Sequence, residues 1–306
     1  MAYGQTKGGI LVSLEHRYYG ASQPFADWST DNLKWLNTTQ ALEDIHKFIN
    51  YMKITLDRKM DRKVMIVGGS YPGAVVAWYQ HKYNDATMVW SSSGVIHAID
   101  DFKDFDYDIY NATSKSDGCA AMVKNLTDEI DETWATGEPL FIYSMLEKFG
   151  ATNMNIVQGD FMFFIADIFT MGVQYGTRTE MCALITSEDF QIDPLTNLSA
   201  YGVSKGLSVA QYDAIALQNV TYDVSLNLRQ WTYQYCTEFG WYQVPWNANF
   251  ATRSPSLNLT FWHDYCQRVF SPTLPYPAVE ETNMEFGGLN NTGKNIYFFN
   301  AIEDPW

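Results

Sequence analysis

Short apolar runs alternate with amphipathic stretches over the first hundred residues of this chain, and that alternation predicts a layered α/β arrangement. Residues 9–16 (GILVSLEH) read as a buried strand. Leu42, Ile45, Ile49 and Met52 recur at helical spacing, which predicts a helix over 39–52 with Asn37, three residues before Gln40, as its cap. The next apolar run, Val64-Met65-Ile66-Val67, is a strand that breaks at Gly68 and Gly69 and passes into a helix carrying Ala74, Val75, Ala77 and Trp78. Residues 87–90 give a further strand ending in Ser91-Ser92-Ser93-Gly94, and 294–299 (KNIYFF) give another. Strands separated by helices imply a parallel sheet.

Between residues 100 and 279 the pattern becomes helical. Val123, Leu126, Ile130 and Trp134 share one helical face, and amphipathic stretches follow over 140–149, 154–171 and 208–219. We therefore expect an α/β domain made of 1–99 and 280–306, interrupted by a helical insertion over 100–279. The most apolar helix, 161–173, is interrupted by Asp167, which favours a buried helix over a membrane span.

The strand that ends at Gly68-Gly69 delivers Ser70 into the turn before the next helix, which is the layout of a nucleophile elbow. Small neighbours are needed there so that the helix can pack close while the hydroxyl stays exposed. Gly68 lies two before Ser70, but Pro72 stands two after it, and the second glycine slips to Gly73. Proline suits a first helical turn, where its fixed φ is preorganised and its missing N–H would have had no partner. The backbone N–H of Tyr71 is then the first oxyanion donor.

The segments EHRYYG (15–20), QALEDIHKFI (40–49), GGSYPGAVVAW (68–78), RQWTYQYCTEFGWYQ (229–243) and DPW (304–306) together resemble the prolyl carboxypeptidase family of serine peptidases. Within that family, which includes lysosomal prolyl carboxypeptidase and dipeptidyl peptidase II, they are most similar to the thymus-specific serine protease type. The resemblance implies an α/β-hydrolase fold with a large helical cap and a triad in the order Ser, Asp, His. Ser70 matches the nucleophile and Asp304 the acid, and Asp304 lies in the loop after a strand, where active-site groups of open parallel sheets gather. The base should follow Asp304, whereas His16, His46, His81, His97 and His263 all precede it and read as structural or surface residues. One strand precedes the elbow where this fold places several, so the chain reads as an internal piece of a longer enzyme, inactive by itself. The resemblance also implies hydrolysis of small peptides beside proline, either from the carboxyl end or as amino-terminal dipeptides. Trp306, Ala74 and Trp241 would line the proline pocket, where a rigid pyrrolidine ring against an indole loses little conformational entropy.

Composition refines the setting. Seven N-x-S/T sequons, at Asn37, Asn111, Asn125, Asn197, Asn219, Asn258 and Asn290, are roughly three times the chance frequency and favour a secreted or lysosomal route, although residues 1–4 carry no signal-peptide pattern. Cys119, Cys182, Cys236 and Cys266 lack the C-x-x-C pairs of a zinc site, so disulfides are expected, with no metal or cofactor. Spacing leaves three pairings open, and the family resemblance favours Cys119 with Cys182 and Cys236 with Cys266. A net charge of −15 argues against nucleic acid as a partner. Small peptides remain the expected partners, and a second copy of the chain is a candidate. A lipase or esterase, and a non-catalytic secreted binding protein, would share the elbow and the fold.

Overall fold

The apolar run before the elbow does form a strand, and its neighbours complete a small parallel sheet. The computed structural model describes residues 2–6, 8–57, 62–152 and 155–306. Among them, β1 (Met65–Gly69), β2 (Met88–Ser92) and β3 (Ile296–Phe299) lie in that order, all parallel. Short helices α1 (Ala2–Thr6) and α2 (Thr30–Leu33) precede α3 (Thr38–Asp57), whose Gln40 N–H donates to Asn37 Oδ1 at 2.9 Å as the cap spacing predicts. Helix α4 (Tyr71–Tyr83) follows β1 and packs on one face of the sheet with Ala74, Val75 and Trp78 buried.

Residues 9–16 are an exception to the strand reading. They run without a backbone ladder, and Ile10, Leu11, Val12 and Leu14 are exposed. An apolar run records a tendency to be covered in a sheet, but the strand forms only where a neighbour accepts its hydrogen bonds. No described strand pairs with it.

The sheet is also covered on one side only. The register pairs Met65 with Met88, Val67 with Trp90 and Trp90 with Tyr297, which aligns these side chains on the face away from α4, and all are exposed. Parallel sheets normally bury both faces.

The helical region contains α5 (Lys103–Thr113), α6 (Cys119–Ala135), α7 (Pro139–Lys148), α8 (Gln158–Gln174), α9 (Arg178–Ile185), α10 (Glu188–Ile192) and α11 (Pro194–Ser204). The predicted 154–171 helix begins at Gln158, and Met154 lies outside the described residues. Helix α8 is buried almost all round, and its Asp167 is taken up by Arg253 at 3.2 Å and by the Tyr212 hydroxyl at 3.0 Å. A half-buried carboxylate on an otherwise apolar helix is stabilised by such partners. The amphipathic stretch 208–219 is not one helix but two 3₁₀ turns, Val209–Gln211 and Ala216–Gln218. Between them the Asp160 carboxylate accepts the Ala214 N–H and the Asp213 carboxylate accepts that of Ile215, which diverts donors a helix would have used.

Two cores result. One gathers α5 to α11 around Phe161, Phe164 and Ile168. The other lies beneath the elbow helix and includes residues from 214 to 286, among them α12 (Leu228–Gln234), the π-helical turn Tyr235–Phe239, α13 (Leu259–Val269) and α14 (Val279–Phe286). The segment that the hydropathy pattern groups with the helices thus divides between both cores. Each core holds one disulfide, Cys119–Cys182 in the first and Cys236–Cys266 in the second, which are the pairs the family resemblance implied.

Candidate active site

Ser70 sits between β1 and α4 at φ 59° and ψ −131°, a conformation that only surrounding structure can hold in a non-glycine residue. The neighbouring sequence explains how the turn fits. A Cβ at Gly68 would lie 2.0 Å from the carbonyl oxygen of Pro72, so the residue two before the serine has to be glycine. The displaced second glycine is equally constrained: a Cβ at Gly73 would come within 2.9 Å of both Ser92 O and Gly94 Cα. Gly73 is the point at which α4 crosses the turn after β2, and Pro72 occupies the first helical turn where its missing N–H costs nothing. The Ser70 N–H donates to Ser92 O at 2.9 Å, which ties the elbow to the next strand.

A cleft of about 230 Å³ opens at the carboxyl ends of the strands and is lined by Gly69, Ser70, Ser92, Ser93, Gln174, Tyr175, Asp304 and Trp306. Ser70 and Asp304 therefore share one cavity although most of the chain separates them. Asp304 Oδ1 accepts the N–H of Trp306 at 3.2 Å, which folds the DPW end of the chain back on itself. The adjacent Glu303 is bound by Arg178 at 2.9 Å and Lys115 at 3.2 Å, and hydrogen bonding from Arg178 holds its carboxyl below the ordinary glutamate range. Arg178, the first residue of α9, and Lys115, just beyond α5, thus anchor the loop that carries Asp304. Nearby, burial raises the Asp108 carboxyl, and the charges of Asp104 and Asp304 raise it further.

Trp306 lines the cleft, and its ring packs edge-on against Phe105 at 4.7 Å and Trp241 at 5.9 Å. Ala74 and Trp241 do not reach the opening. Ala74 is fully buried, and Trp241 is 4 % exposed, stacked on Phe239 at 4.5 Å and donating Nε1–H to His97 O. Trp241 backs Trp306 instead of lining the cavity. Gln174 and Tyr175, at the C-terminal end of α8, were not legible in the sequence as cleft residues, because nothing local marks where a helix end will dock. The Ser91-Ser92-Ser93-Gly94 run did carry a signal, since small residues directly after a strand admit a close crossing.

The five histidines lie away from the cleft lining. His16 contacts the Tyr71 hydroxyl at 3.0 Å, His46 stacks on Tyr83, and His81 accepts from the Thr292 N–H. His263 stacks on Tyr276 at 3.6 Å, and His97 offers its carbonyl to Trp241. A larger groove of about 470 Å³ between residues 29–31 and 270–275 is lined by Ser29, Thr30, Asp31, Phe270, Ser271 and neighbours and shares no lining residue with the Ser70 cleft. Among the described residues there is no cluster of three or more His, Cys, Asp or Glu able to hold a metal, and no helix is long and apolar enough to cross a membrane.

Comparison with known proteins places this geometry. The chain matches the family described as serine carboxypeptidase S28 over residues 1–306. It is 33 % identical to the probable serine protease EDA2 of Arabidopsis thaliana over 97 % of its own length and 62 % of that protein. It is 26 % identical to the thymus-specific serine protease of Mus musculus, covering 98 % of this chain and 64 % of that protein. With the lysosomal Pro-X carboxypeptidase of Bos taurus it shares 26 % identity over 97 % of this chain and 64 % of the relative. The chain thus spans a little under two thirds of the length of these relatives. Match to the family over its whole length, with an elbow serine and an aspartate in one cleft, makes this chain a member of the serine carboxypeptidase S28 family of peptidases.

Proposed function

We propose that the full-length protein is a serine exopeptidase that hydrolyses small peptides beside proline, with Ser70 as nucleophile and Asp304 as the acid of a Ser-Asp-His triad. The observation that carries this reading is the cleft shared by Ser70, Asp304 and Trp306 at the carboxyl ends of the strands. The base is a histidine that follows Asp304 in the triad order, in keeping with the absence of any described histidine from the cleft lining. Ser70 Oγ attacks the scissile carbonyl while that histidine accepts its proton. The tetrahedral oxyanion is met by the Tyr71 N–H, and collapse to the acyl-enzyme expels the amine, which takes the proton back.

The indole of Trp306 is the apolar wall for the proline ring, with Trp241 and Phe105 fixing its orientation from behind. The helical region over 103–212 acts as the cap: its Gln174 and Tyr175 close the cleft opposite the sheet and limit entry to short peptides. A secreted or lysosomal setting is supported by the two disulfides and by the exposure of Asn111, Asn125, Asn219, Asn258 and Asn290. Asn37 and Asn197 are half-buried, which makes them poorer glycan acceptors.

A fluorophosphonate probe applied to the full-length protein tests the assignment. Labelling and hydrolysis of a Pro-containing peptide should both vanish in Ser70→Ala, and labelling that persists in that variant would refute it.

A further inference from the structure

The elbow holds Ser70 in a strained backbone conformation, and the residue that must stay fixed for the oxyanion is its neighbour Tyr71. The Tyr71 side chain ends in a buried polar relay drawn from three distant motifs. Its hydroxyl lies 3.0 Å from His16 Nε2 and 2.7 Å from Gln234 Nε2, and the Tyr19 hydroxyl lies 2.6 Å from Gln234 Oε1. His16 Nδ1 is 2.7 Å from the carbonyl oxygen of Arg17.

These contacts fix every proton. A carbonyl can only accept, so His16 Nδ1 carries hydrogen and Nε2 is the acceptor. Tyr71 therefore donates to His16, receives from Gln234, and Gln234 in turn receives from Tyr19. Each donor meets one acceptor. Burial keeps His16 below the ordinary histidine range, in the neutral form that this direction requires. Burial likewise raises the Tyr71 phenol, so its proton stays in place. Gln234 is fully buried, and the Tyr71 ring lies 5.6 Å from Trp231 and 5.5 Å from Phe239, which leaves the hydroxyl one place to go. The relay is anchored in turn, since Arg17 binds both oxygens of Asp44 on α3 at 2.6 and 2.8 Å.

We propose that His16 and Gln234 are positioning residues of this peptidase, acting through the Tyr71 hydroxyl to hold the first residue of the elbow helix and, with it, the N–H aimed at the oxyanion. The inference rests on the assignment of Ser70 as nucleophile. It gives the EHRYYG segment and Gln234, the second glutamine of RQWTYQY, a role that packing alone does not supply, because an apolar contact would bury Tyr71 as well without aligning its hydroxyl.

The test compares the full-length protein with Tyr71→Phe, His16→Leu, His16→Gln and the Tyr71→Phe/His16→Leu double variant, each normalised to the fraction of serine titrated by a fluorophosphonate. Losing a whole oxyanion donor costs about 10²- to 10³-fold in kcat, so a displaced donor should cost about tenfold, with KM within about twofold. His16→Gln, which can still accept from Tyr71 and donate to Arg17, should recover most of the loss. The double variant should fall no further than Tyr71→Phe, because both changes cut one chain. Full kcat in Tyr71→Phe, additive losses, or a change confined to KM would overturn the proposal. Ser70→Ala run beside them separates the two claims: if it stays active, the serine assignment fails and the positioning role falls with it. If it is dead while Tyr71→Phe is fully active, only the positioning role is wrong.

Discussion

The core built around Phe161, Phe164 and Ile168 is enclosed by its own helices, whereas the core beneath the elbow helix backs onto a sheet whose other face presents Val67, Trp90 and Tyr297 to solvent. In the first, the charges that enter are met by residues from beyond α11: Asp167 meets Arg253, Asp106 accepts from the Thr252 and Trp246 N–H groups, and Asp160 pairs with Arg268 of α13. In the second, Gln234 holds the Tyr71 hydroxyl of the elbow helix, and Glu238 accepts from the N–H and hydroxyl of Thr38 at the start of α3. The helical half is thus closed over its own apolar side chains, is tied to the later part of the chain by ion pairs and lines the cleft with Gln174 and Tyr175, while the sheet half holds the strained serine and leaves its second face exposed. Each half is closed by one disulfide, so the contrast can be probed with the same kinds of change on both sides.

The largest effect concerns the division of labour across the cleft. In the full-length protein Ser70→Ala should lower turnover of a Pro-containing peptide by about 10³-fold or more, leaving the melting temperature nearly unchanged. Tyr175→Ala, on the helical side, should raise KM about threefold and keep kcat, as expected for a group that only shapes the site. A collapse of kcat in Tyr175→Ala would erase the distinction.

The disulfides come next. By the chain-entropy relation, Cys119–Cys182, which closes 63 residues, should contribute about 4 kcal/mol, and Cys236–Cys266, which closes 30, slightly less. Denaturant titration of Cys119→Ser/Cys182→Ser should show the greater loss of stability with KM unchanged. Cys236→Ser/Cys266→Ser should raise KM for Pro substrates under conditions where the protein is still folded, because that bridge steadies the turn leading to Trp241 behind Trp306. Equal KM values in the two variants would show that the cleft does not feel the second core.

A smaller effect is set by pH. Burial pushes the Glu238 carboxyl up to about 7, against the hydrogen bonds from the N–H and hydroxyl of Thr38 that favour its charged form. Its folded value lies above the ordinary 4.5, so the stability it contributes is full below about 4.5 and is lost as pH rises through 7. Relative to Glu238→Gln, the wild type should lose on the order of 3 kcal/mol between pH 4.5 and 8, read from melting curves across that range. Parallel curves for the two proteins would show that Thr38 already compensates the buried charge. The smallest change is on the bare face: in isolated residues 1–306, Val67→Thr with Tyr297→Thr should reduce binding of a hydrophobic dye about twofold, and the same exchange at Leu140 and Phe141 on the helical surface should do less.

Several features were written locally and needed no tertiary information. The cap of α3 by Asn37, the passage from β1 through Ser70 into α4, and the helical pattern of α6 to α8 depend on near neighbours in sequence, so periodicity and turn chemistry reveal them. The elbow glycines were readable as a requirement, though only the crossing of α4 over the Ser92–Gly94 turn explains why the second one stands at Gly73. The segment 9–16 shows the opposite case: its apolar pattern is strand-like, yet a strand is a relation between two segments and the pattern names only one. The stretch 208–219 fails as a helix because Asp160, distant in sequence, takes the Ala214 N–H. Trp241 and Ala74 carried the right motif but lie behind the cleft, and Gln174 and Tyr175 line it with no motif at all. By itself, then, the sequence determined the α/β class and the serine at the elbow, which rest on short-range spacing, and the family, which rests on the resemblance of separated motifs. Tertiary structure alone decided which groups share the cavity with Ser70 and how Tyr71 is held, because those contacts join residues such as His16 and Gln234 whose meeting is set by packing of whole elements and not by any local pattern.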